Sequence, residues 1–343
     1  MKPLAAVAVL AALFGVAATG AKRPVTVTVM TRNLYLGANL DAIVQAKSAP
    51  EAFAAVEKGW QQVQANDFPT RARAIARELA RVKPDVVGFQ ELTLYRTQTP
   101  ADFTVTPATH VVLDYARELR RALAARKLKY RFVAIAPWTD AELPSGNPPT
   151  MDVRLTVRDG LLVRTAKNLR IVSVRKTQYM TTTPLFGGLV VAKRGFIYTT
   201  VSLNGRRFRV ATTHLESFSN TSQVAQGQEL GAFLSAGRLP TILLGDLNSR
   251  ADGTGTPTHA NLLALGFEDA WAQAHPNDPG LSCCHGDDLR ELGGPFYSRI
   301  DYVLLRNGFR AVAAGIVGNN QADRVNGLWP SDHAGVWARL RLP

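Results

Sequence analysis

Thr241-Ile242-Leu243-Leu244-Gly245-Asp246-Leu247-Asn248-Ser249 is the stretch from which the rest of the chain is read. Its apolar start predicts a short buried strand, and it ends in a carboxylate and a carboxamide two residues apart. Side chains at i and i+2 of a strand leave the same face, so Asp246 and Asn248 are expected to point together from its C-terminal end. One is an acceptor-only anion and the other both donates and accepts, a pairing that suits a water or a metal held beside a phosphate. Read alone, the same letters are more simply an Asp-Leu-Asn-Ser turn after a core strand. The company they keep elsewhere in the chain decides between the two.

Upstream, Val25 to Thr31 alternates β-branched and polar residues, predicting a strand that runs into Arg32-Asn33-Leu34. Helical patterns follow over 52–64 and 69–82. The second has an apolar stripe of Ile75, Leu79 and Val82 and a basic one of Arg73, Arg77 and Arg81, which reads first as a solvated face and second as a phosphate-contacting one. Pro84 ends that helix, and Asp85 to Glu91 predicts a buried strand whose tip carries Glu91. A carboxylate there is costly unless it is paired or metal-bound. The middle of the chain predicts a helix over 111–127, a strand over 130–136, a loop over 144–149, and paired strands at 160–163 and 171–174. Asn204-Gly205 is a strong two-residue hairpin signal between strands 196–203 and 206–213, the second leading into Thr213-His214-Leu215. After the opening stretch come a short helix over 259–265, a long loop over 276–295, a strand over 298–305 containing Asp301, and a closing strand over 334–340 introduced by Ser331-Asp332-His333. Many strands in hairpin-like succession with few helices argue for a mixed, largely antiparallel α+β architecture.

The 343 residues are 46% hydrophobic, enough for a large core, and no linker, low-complexity tract or repeat divides them. One domain over 22–343 is expected. Residues 1–21 read as a cleaved export signal: Lys2, an apolar run from Leu4 to Ala18, then Thr19-Gly20-Ala21. No cysteine follows that would anchor a lipoprotein, and no later segment is apolar enough to span a bilayer, so a secreted or periplasmic protein is expected. The formal net charge is +13, and losing Lys2 with the signal leaves 13 − 1 = +12. Such an excess favours anionic partners without choosing among them.

Cys283 and Cys284 are the only cysteines. Across a trans peptide their Cα atoms would sit about 3.8 Å apart, below the usual disulfide range, so a bond between them would be strained. With His285 as the only nearby histidine in sequence, they lack zinc-site spacing and a second ligand pair.

Arg32-Asn33-Leu34, Val87-Gly88-Phe89-Gln90-Glu91, Thr213-His214-Leu215, Gly245-Asp246-Leu247-Asn248-Ser249, Arg299-Ile300-Asp301-Tyr302 and Ser331-Asp332-His333 together resemble the endonuclease/exonuclease/phosphatase superfamily. They occur in that family's order and span essentially the whole chain after the signal. The resemblance implies a four-layer αββα sandwich of two mostly antiparallel sheets flanked by helices, with the site at one edge of the packed sheets. It implies that Glu91, Asn33 and Asp332 hold or support a hard divalent cation, Mg²⁺ first, with Mn²⁺ or Ca²⁺ as alternatives. It implies His333 as general base oriented by Asp301, Asp246 as the residue that aligns or deprotonates the attacking water, and Asn248 and His214 as donors to phosphate oxygens. His110, His259, His275 and His285 fall in no family motif and are expected on the surface or in loops.

No Gly-x-Ser-x-Gly, His-Glu-x-x-His or Gly-x-x-x-x-Gly-Lys signature competes. The expected activity is Mg-dependent phosphoric ester hydrolysis by in-line attack of water, rather than anion binding alone. Nucleic acid is the first expected substrate, from charge, export and the arginine stripe. A sphingomyelinase-like phospholipase, in transient contact with a lipid surface, and a soluble phosphomonoesterase are the alternatives. The first of these would need an exposed aromatic hairpin for membrane entry, and no Trp/Phe cluster suggests one outside Leu185-Phe186-Gly187. A monomer without an obligate protein partner is expected.

Overall fold

Val27 and Val29 of the first strand face one way and Met30 the other, and this alternation, repeated in strand after strand, sorts the side chains into layers. The computed structural model describes residues 25–292 and 296–343, so the expected export signal lies outside the described residues. The elements run β1 (Thr26–Asn33), α1 (Asp41–Val44), α2 (Ala49–Ala65), α3 (Phe68–Val82), β2 (Val86–Gln90), β3 (Leu94–Gln98), β4 (His110–Asp114), α4 (Tyr115–Ala125), β5 (Tyr130–Ser145), β6 (Met151–Arg164), β7 (Leu169–Gln178) and β8 (Thr183–Leu185). They continue with β9 (Val190–Ala192), β10 (Gly195–Leu203), β11 (Arg206–His214), α5 (Asn220–Ser235), β12 (Thr241–Asp246), α6 (Thr258–Ala264), β13 (Glu268–Asp269), α7 (Ala270–Ala274), β14 (Asp301–Arg306), β15 (Arg310–Val317) and β16 (Gly335–Arg341).

Two sheets form. One has the order β15-β16-β1-β2-β6-β3-β4, with β5 also on β6, and the other β13-β14-β12-β11-β10-β7. Among the described residues only β1 with β2 and β11 with β12 run parallel, each pair joined by helical connections. Val27, Val86 and Leu161 of the first sheet meet Val210, Ile242 and Val303 of the second in a core between the sheets. Met30, Val87 and Phe89, on the other face of the first sheet, pack under Phe68, Ile75, Leu79 and Leu119 of α3 and α4. Leu243 and Leu304 of the second sheet pack under Leu230, Leu234 and Leu262 of α5 and α6. The result is a four-layer αββα sandwich. Among the described residues no helix is long and apolar enough to cross a membrane.

The helices start where local chemistry allows. Ser48 accepts from Glu51 N at the head of α2, Asp67 from Thr70 N at α3 and Ser219 from Ser222 N at α5. Asn204 and Gly205 both have positive φ, 52° and 83°, as a tight hairpin between β10 and β11 requires. Gly88 has a different task. A Cβ there would lie 2.3 Å from Thr212 Oγ1 and 3.2 Å from Leu244 Cβ, so only glycine lets the sheets approach this closely beneath their polar edge.

Four expectations are corrected. The 111–127 stretch is not one helix: His110–Asp114 pairs with β3, and the helix begins at Tyr115 with Asp114 as its cap. The strands at 160–163 and 171–174 do not pair; residues 165–168 carry the chain from one sheet to the other, so β6 and β7 lie in different layers. The 144–149 loop starts late, because β5 stays paired with β6 through Ser145. His259 is neither on the surface nor in a loop but buried in α6, stacked on Tyr302 at 4.5 Å, while His285 is in a loop as expected, buried there on Trp329 at 4.0 Å.

Candidate active site

The polar ends of β1, β2, β11, β12 and β14 meet on the inner faces of the two sheets. Asp246 shares parity with Ile242 and Leu244, His214 with Val210, and Asp301 with Val303 and Leu305, all of which face the core between the sheets. Asn33 belongs likewise to the face of Val27 and Val29. Each of these four side chains therefore continues a row of core residues to the edge of the sandwich. The register sets them level, pairing His214 with Asp246 and Asp246 with Asp301.

Asp246 is the hub. Its Oδ2 accepts from Asn33 Nδ2 at 3.1 Å and lies 3.6 Å from His214 Nε2 and 3.8 Å from His333 Nε2. Asn33 Nδ2 also donates to Glu91 Oε1 at 3.1 Å, and Asn33 Oδ1 accepts from Tyr35 N at 2.9 Å. The Asn33 carboxamide thus bridges two carboxylates, its oxygen turned to the backbone. Glu91 Oε2 accepts from Leu36 N at 2.5 Å. His333 Nδ1 lies 2.9 Å from Asp301 Oδ2, which also accepts from Ser282 Oγ at 2.7 Å. Asp332 sits 4.0 Å from His333 Nε2. All eight residues singled out in the sequence therefore fall in one cluster.

Asn248 does not leave β12 beside Asp246 as strand parity predicts. The strand ends at Asp246, and Asn248 is left-handed, with φ 47°. Its backbone N–H donates to Asp246 Oδ1 at 2.9 Å and its Nδ2 to Leu215 O at 3.0 Å, so the two are joined by a turn.

Burial and charge tune the cluster. Burial, with Asp301 beside it, pushes the Asp246 carboxyl up to about 7. Burial raises Asp332 to about 6, with Glu91 adding to the effect against the pull of His333. Burial alone would lower His333, but Asp301, Asp332 and Asp246 outweigh it and hold its proton affinity well above the usual histidine range. His214 goes the other way: burial, then Arg194 and His333, keep it neutral.

Several contributors had no signal in the sequence. Arg194, buried, lies 3.0 Å from His214 Nδ1 and 3.8 Å from Glu216. Guanidinium only donates, so His214 Nδ1 accepts and its proton sits on Nε2, facing Asp246. Arg32 is buried in a bidentate pair with Glu78, at 2.9 and 3.0 Å, and donates to the His333 carbonyl, tying that loop to β1. Arg71 donates to the carbonyls of Leu34, Tyr35, Asn66 and Pro330 and so holds the loops around Glu91 and Asp332. A net of carbonyls around one guanidinium leaves no pattern in a sequence. The stripe of Arg73, Arg77 and Arg81 is engaged within the protein: Arg77 donates to Asp323 O at 2.8 Å, Arg81 pairs with Asp323, and Arg73 donates to Thr70.

A groove of about 490 Å³ meets this cluster at Glu91 and Asp332 and is lined by Leu36, Ile43, Trp60, Tyr95, Leu155 and Phe186 among others. Its charged lining is Asp41, Glu91, Asp287 and Asp332 against Arg194. The hairpin β8–β9 closes one side, and Leu189 beyond its turn is exposed.

Amide-bridged carboxylates, a carboxylate-oriented imidazole and a neutral imidazole at one edge of a double sheet define a hydrolase site suited to phosphoesters. A family model described as "Endonuclease/Exonuclease/phosphatase family" matches residues 39–333, and the chain belongs to that family of metal-dependent phosphoester hydrolases. Among solved structures, a family member from Bacteroides thetaiotaomicron aligns with TM-score 0.62 at 16% identity, covering 94% of this chain and 99% of that one. Mannosyl-6-phosphatase Bt3783 of the same organism aligns with TM-score 0.58 at 17% identity, over 92% and 100%. D. rerio TDP2, complexed with a single-strand DNA product, gives 0.57 at 16%, over 92% and 99%. At such identities these likenesses speak for the fold. No curated protein matches the sequence.

Proposed function

We propose that the chain is an exported, divalent-metal-dependent phosphodiesterase whose substrate is an amphiphile, a phosphate diester carrying an apolar group. The observation that carries the reading is that Glu91 and Asp332, the members of the cluster beside Asn33 and His333, line a largely apolar groove.

His333, with Nδ1–H held by Asp301, presents Nε2 as the base toward a water. Asp246 Oδ2, facing that nitrogen across 3.8 Å, aligns the same water. His214 donates Nε2–H to a phosphate oxygen, and the second amide hydrogen of Asn248 Nδ2 is left for another. The donor set fits a hard cation. Glu91 and Asp332 are oxygen donors, and Glu91 adds to the burial that raises the proton affinity of Asp332, a repulsion that a divalent ion relieves. Asn33 holds Glu91 in place behind them. When bound, Mg²⁺, or Mn²⁺ or Ca²⁺ in its stead, would polarise the phosphoryl oxygens and offset charge on the leaving oxygen.

Four acidic residues against one arginine make the groove a poor channel for a polyanion and a suitable one for a single phosphate with an apolar tail. The hairpin bearing Leu185 and Phe186 supplies the apolar edge that contact with a lipid surface needs. Nucleic acid is the second reading, favoured by the +12 charge after loss of Lys2, 13 − 1. Turnover of sphingomyelin vesicles, plasmid DNA, a phosphomonoester panel and bis(p-nitrophenyl) phosphate, with Mg²⁺ or chelator, tests both. Chelator-sensitive turnover that prefers vesicles supports the amphiphile. A salt-sensitive preference for DNA transfers the assignment to nucleic acid, and no metal-dependent diester turnover removes the enzyme reading.

A further inference from the structure

We propose that the outward face of strands β7, β10 and β11 binds a linear phosphodiester polymer, duplex nucleic acid, through its backbone phosphates and apart from the hydrolytic cluster. The inference stands whichever ester that cluster hydrolyses.

The positive charge of the chain does not lie in the catalytic groove. Residues 160–215 hold seven arginines and three lysines and no Asp or Glu. Of these bases, among the described residues, only Arg164 and Arg194 pair with carboxylates, those of Asp85 and Glu216. The sheet register gathers four of the others. Arg170 and Arg207 both lie opposite Ser202, one on either side of β10. Ser173 and Arg209 flank Thr200 in the same way, and Arg175 lies opposite Tyr198. Val201 and Leu203 of β10 and Phe208 and Val210 of β11 belong to the core between the sheets, so the residues that alternate with them face outward. Cross-strand partners share a face, and the four arginines therefore stand on one side of three neighbouring strands. With about 4.8 Å between strands and about 6.6 Å between alternate residues, they span roughly 10 by 13 Å.

The helices leave this face open. α5 and α6 pack on Leu243 and Leu304 of β12 and β14, and over β10 the helical layer ends at Phe233, set against Phe196 and Tyr198. Arg209 lies over the rings of Tyr198 and Phe233 at 5.5 and 5.6 Å, and its buried Nε has no hydrogen-bond partner among the described residues. Arg170, Arg175 and Arg207 are exposed.

Chemistry selects the partner. Guanidinium groups interleaved with the hydroxyls of Ser173, Thr200 and Ser202 are the donors that grip phosphate oxygens without reading bases. A lipid surface asks for apolar anchors among the charges, and of the exposed large apolar residues only Val172 belongs to these three strands. Met180 and Leu189, far more exposed, lie beyond the other end of β7. Arg207 and Arg209 precede His214 on β11 by roughly 23 and 17 Å of strand and leave from its opposite face. A polymer held there leaves the groove free.

The test is the fluorescence anisotropy of a short labelled DNA duplex with a cleavage-resistant phosphorothioate backbone, mixed with the whole protein in Mg²⁺. Wild type is expected to bind it, with log K falling linearly in log salt between about 50 and 200 mM NaCl. The triple variant Arg170→Gln/Arg175→Gln/Arg207→Gln should bind at least about tenfold more weakly at the lower salt, its slope smaller by about 2.7, or about 0.9 for each phosphate contact. Its Tm should not change, because these side chains are exposed and make no ion pair among the described residues. Arg120→Gln/Arg121→Gln/Arg126→Gln, on α4 and its cap behind the other sheet, removes the same charge and should bind as wild type does. Saturating duplex should leave hydrolysis of bis(p-nitrophenyl) phosphate unchanged. No binding by wild type, undiminished binding by the first variant, or equal loss in both variants overturns the surface, even if that diester is not turned over. Inhibition in proportion to the duplex bound places the polymer at the catalytic cluster and overturns the separation. Phosphatidylglycerol vesicles held through the same arginines, without binding of the duplex, would overturn the polymer in favour of lipid.

Discussion

Asp301→Asn separates the orientation of His333 from its presence. Asp301 Oδ2 accepts from His333 Nδ1 at 2.9 Å and from Ser282 Oγ at 2.7 Å, both in the interior. Asparagine fits the same volume but carries no charge, and it offers an N–H where the imidazole needs an acceptor. A hydrogen bond to a charged group contributes about 1.5–3 kcal/mol. At about 1.36 kcal/mol per decade, its loss from the transition state lowers kcat roughly 10–200-fold, with KM little changed. The pH profile carries a second signature. Burial lowers the proton affinity of His333 and Asp301 leads the carboxylates that raise it, so without Asp301 the ring loses its proton at lower pH. A base works unprotonated, so the acid limb of the kcat profile should move to lower pH even as its plateau falls. Hydrolysis of bis(p-nitrophenyl) phosphate in Mg²⁺ from pH 5 to 10 reads both effects. A kcat within about threefold of wild type, with the acid limb unmoved, would refute the coupling of Asp301 to catalysis.

Arg32→Met leaves Glu78 buried without its partner and should cost about 3–5 kcal/mol in urea unfolding. Adding Glu78→Met should return stability but not full activity, since the anchor on the His333 carbonyl stays lost; equal recovery of both would contradict this. Asp246 and Asp332, held up to about 7 and 6, keep protons that the unfolded chain releases near pH 4, so the stability they contribute is lost as pH rises through that window. Mg²⁺ should therefore raise Tm more at pH 8 than at pH 5, and calorimetry showing equal increments would count against Asp332 as a ligand. Arg194→Met frees His214 Nδ1; kcat should drop about fivefold, near one hydrogen bond, and nitrogen NMR should show the Nε2–H tautomer lost. Gly88→Ala should cost about 1–3 kcal/mol by overpacking against Thr212, and an unchanged Tm would show that the sheets have room to part.

The site was legible wherever a polar residue ends an apolar strand. Asn33, His214, Asp246 and Asp301 stand out because strand parity places them in line with core valines and leucines, whereas Glu91 stands out only as a carboxylate after an apolar strand, since parity would set it with Val87 and Phe89 on the helix side and its backbone is left-handed. Legibility failed where partners lie far away in the chain. Val111-Val112-Leu113 suits helix and strand alike, and only β3 beside it settles the matter. Two neighbouring apolar runs suggest a hairpin, yet 165–168 is a crossing between sheets. Asn248 escaped parity because its left-handed backbone ends the strand geometry on which the inference depended. Arg194 and Arg71 act through a ring nitrogen and through carbonyls brought in by folding, and two arginines of the stripe, Arg77 and Arg81, engage Asp323 of the same chain.

The parallel strands β11 and β12 carry His214 and Asp246 at their last positions, in register with each other. One extra residue inside either would turn its terminal side chain from the inter-sheet face into the helical layer, where an imidazole or carboxylate meets leucines. Such an insertion abolishes the centre outright rather than weakening it by degrees. Length changes that related chains survive should therefore be confined to the connections, and the groove-side hairpin is where one lineage can acquire a new substrate without disturbing the old chemistry.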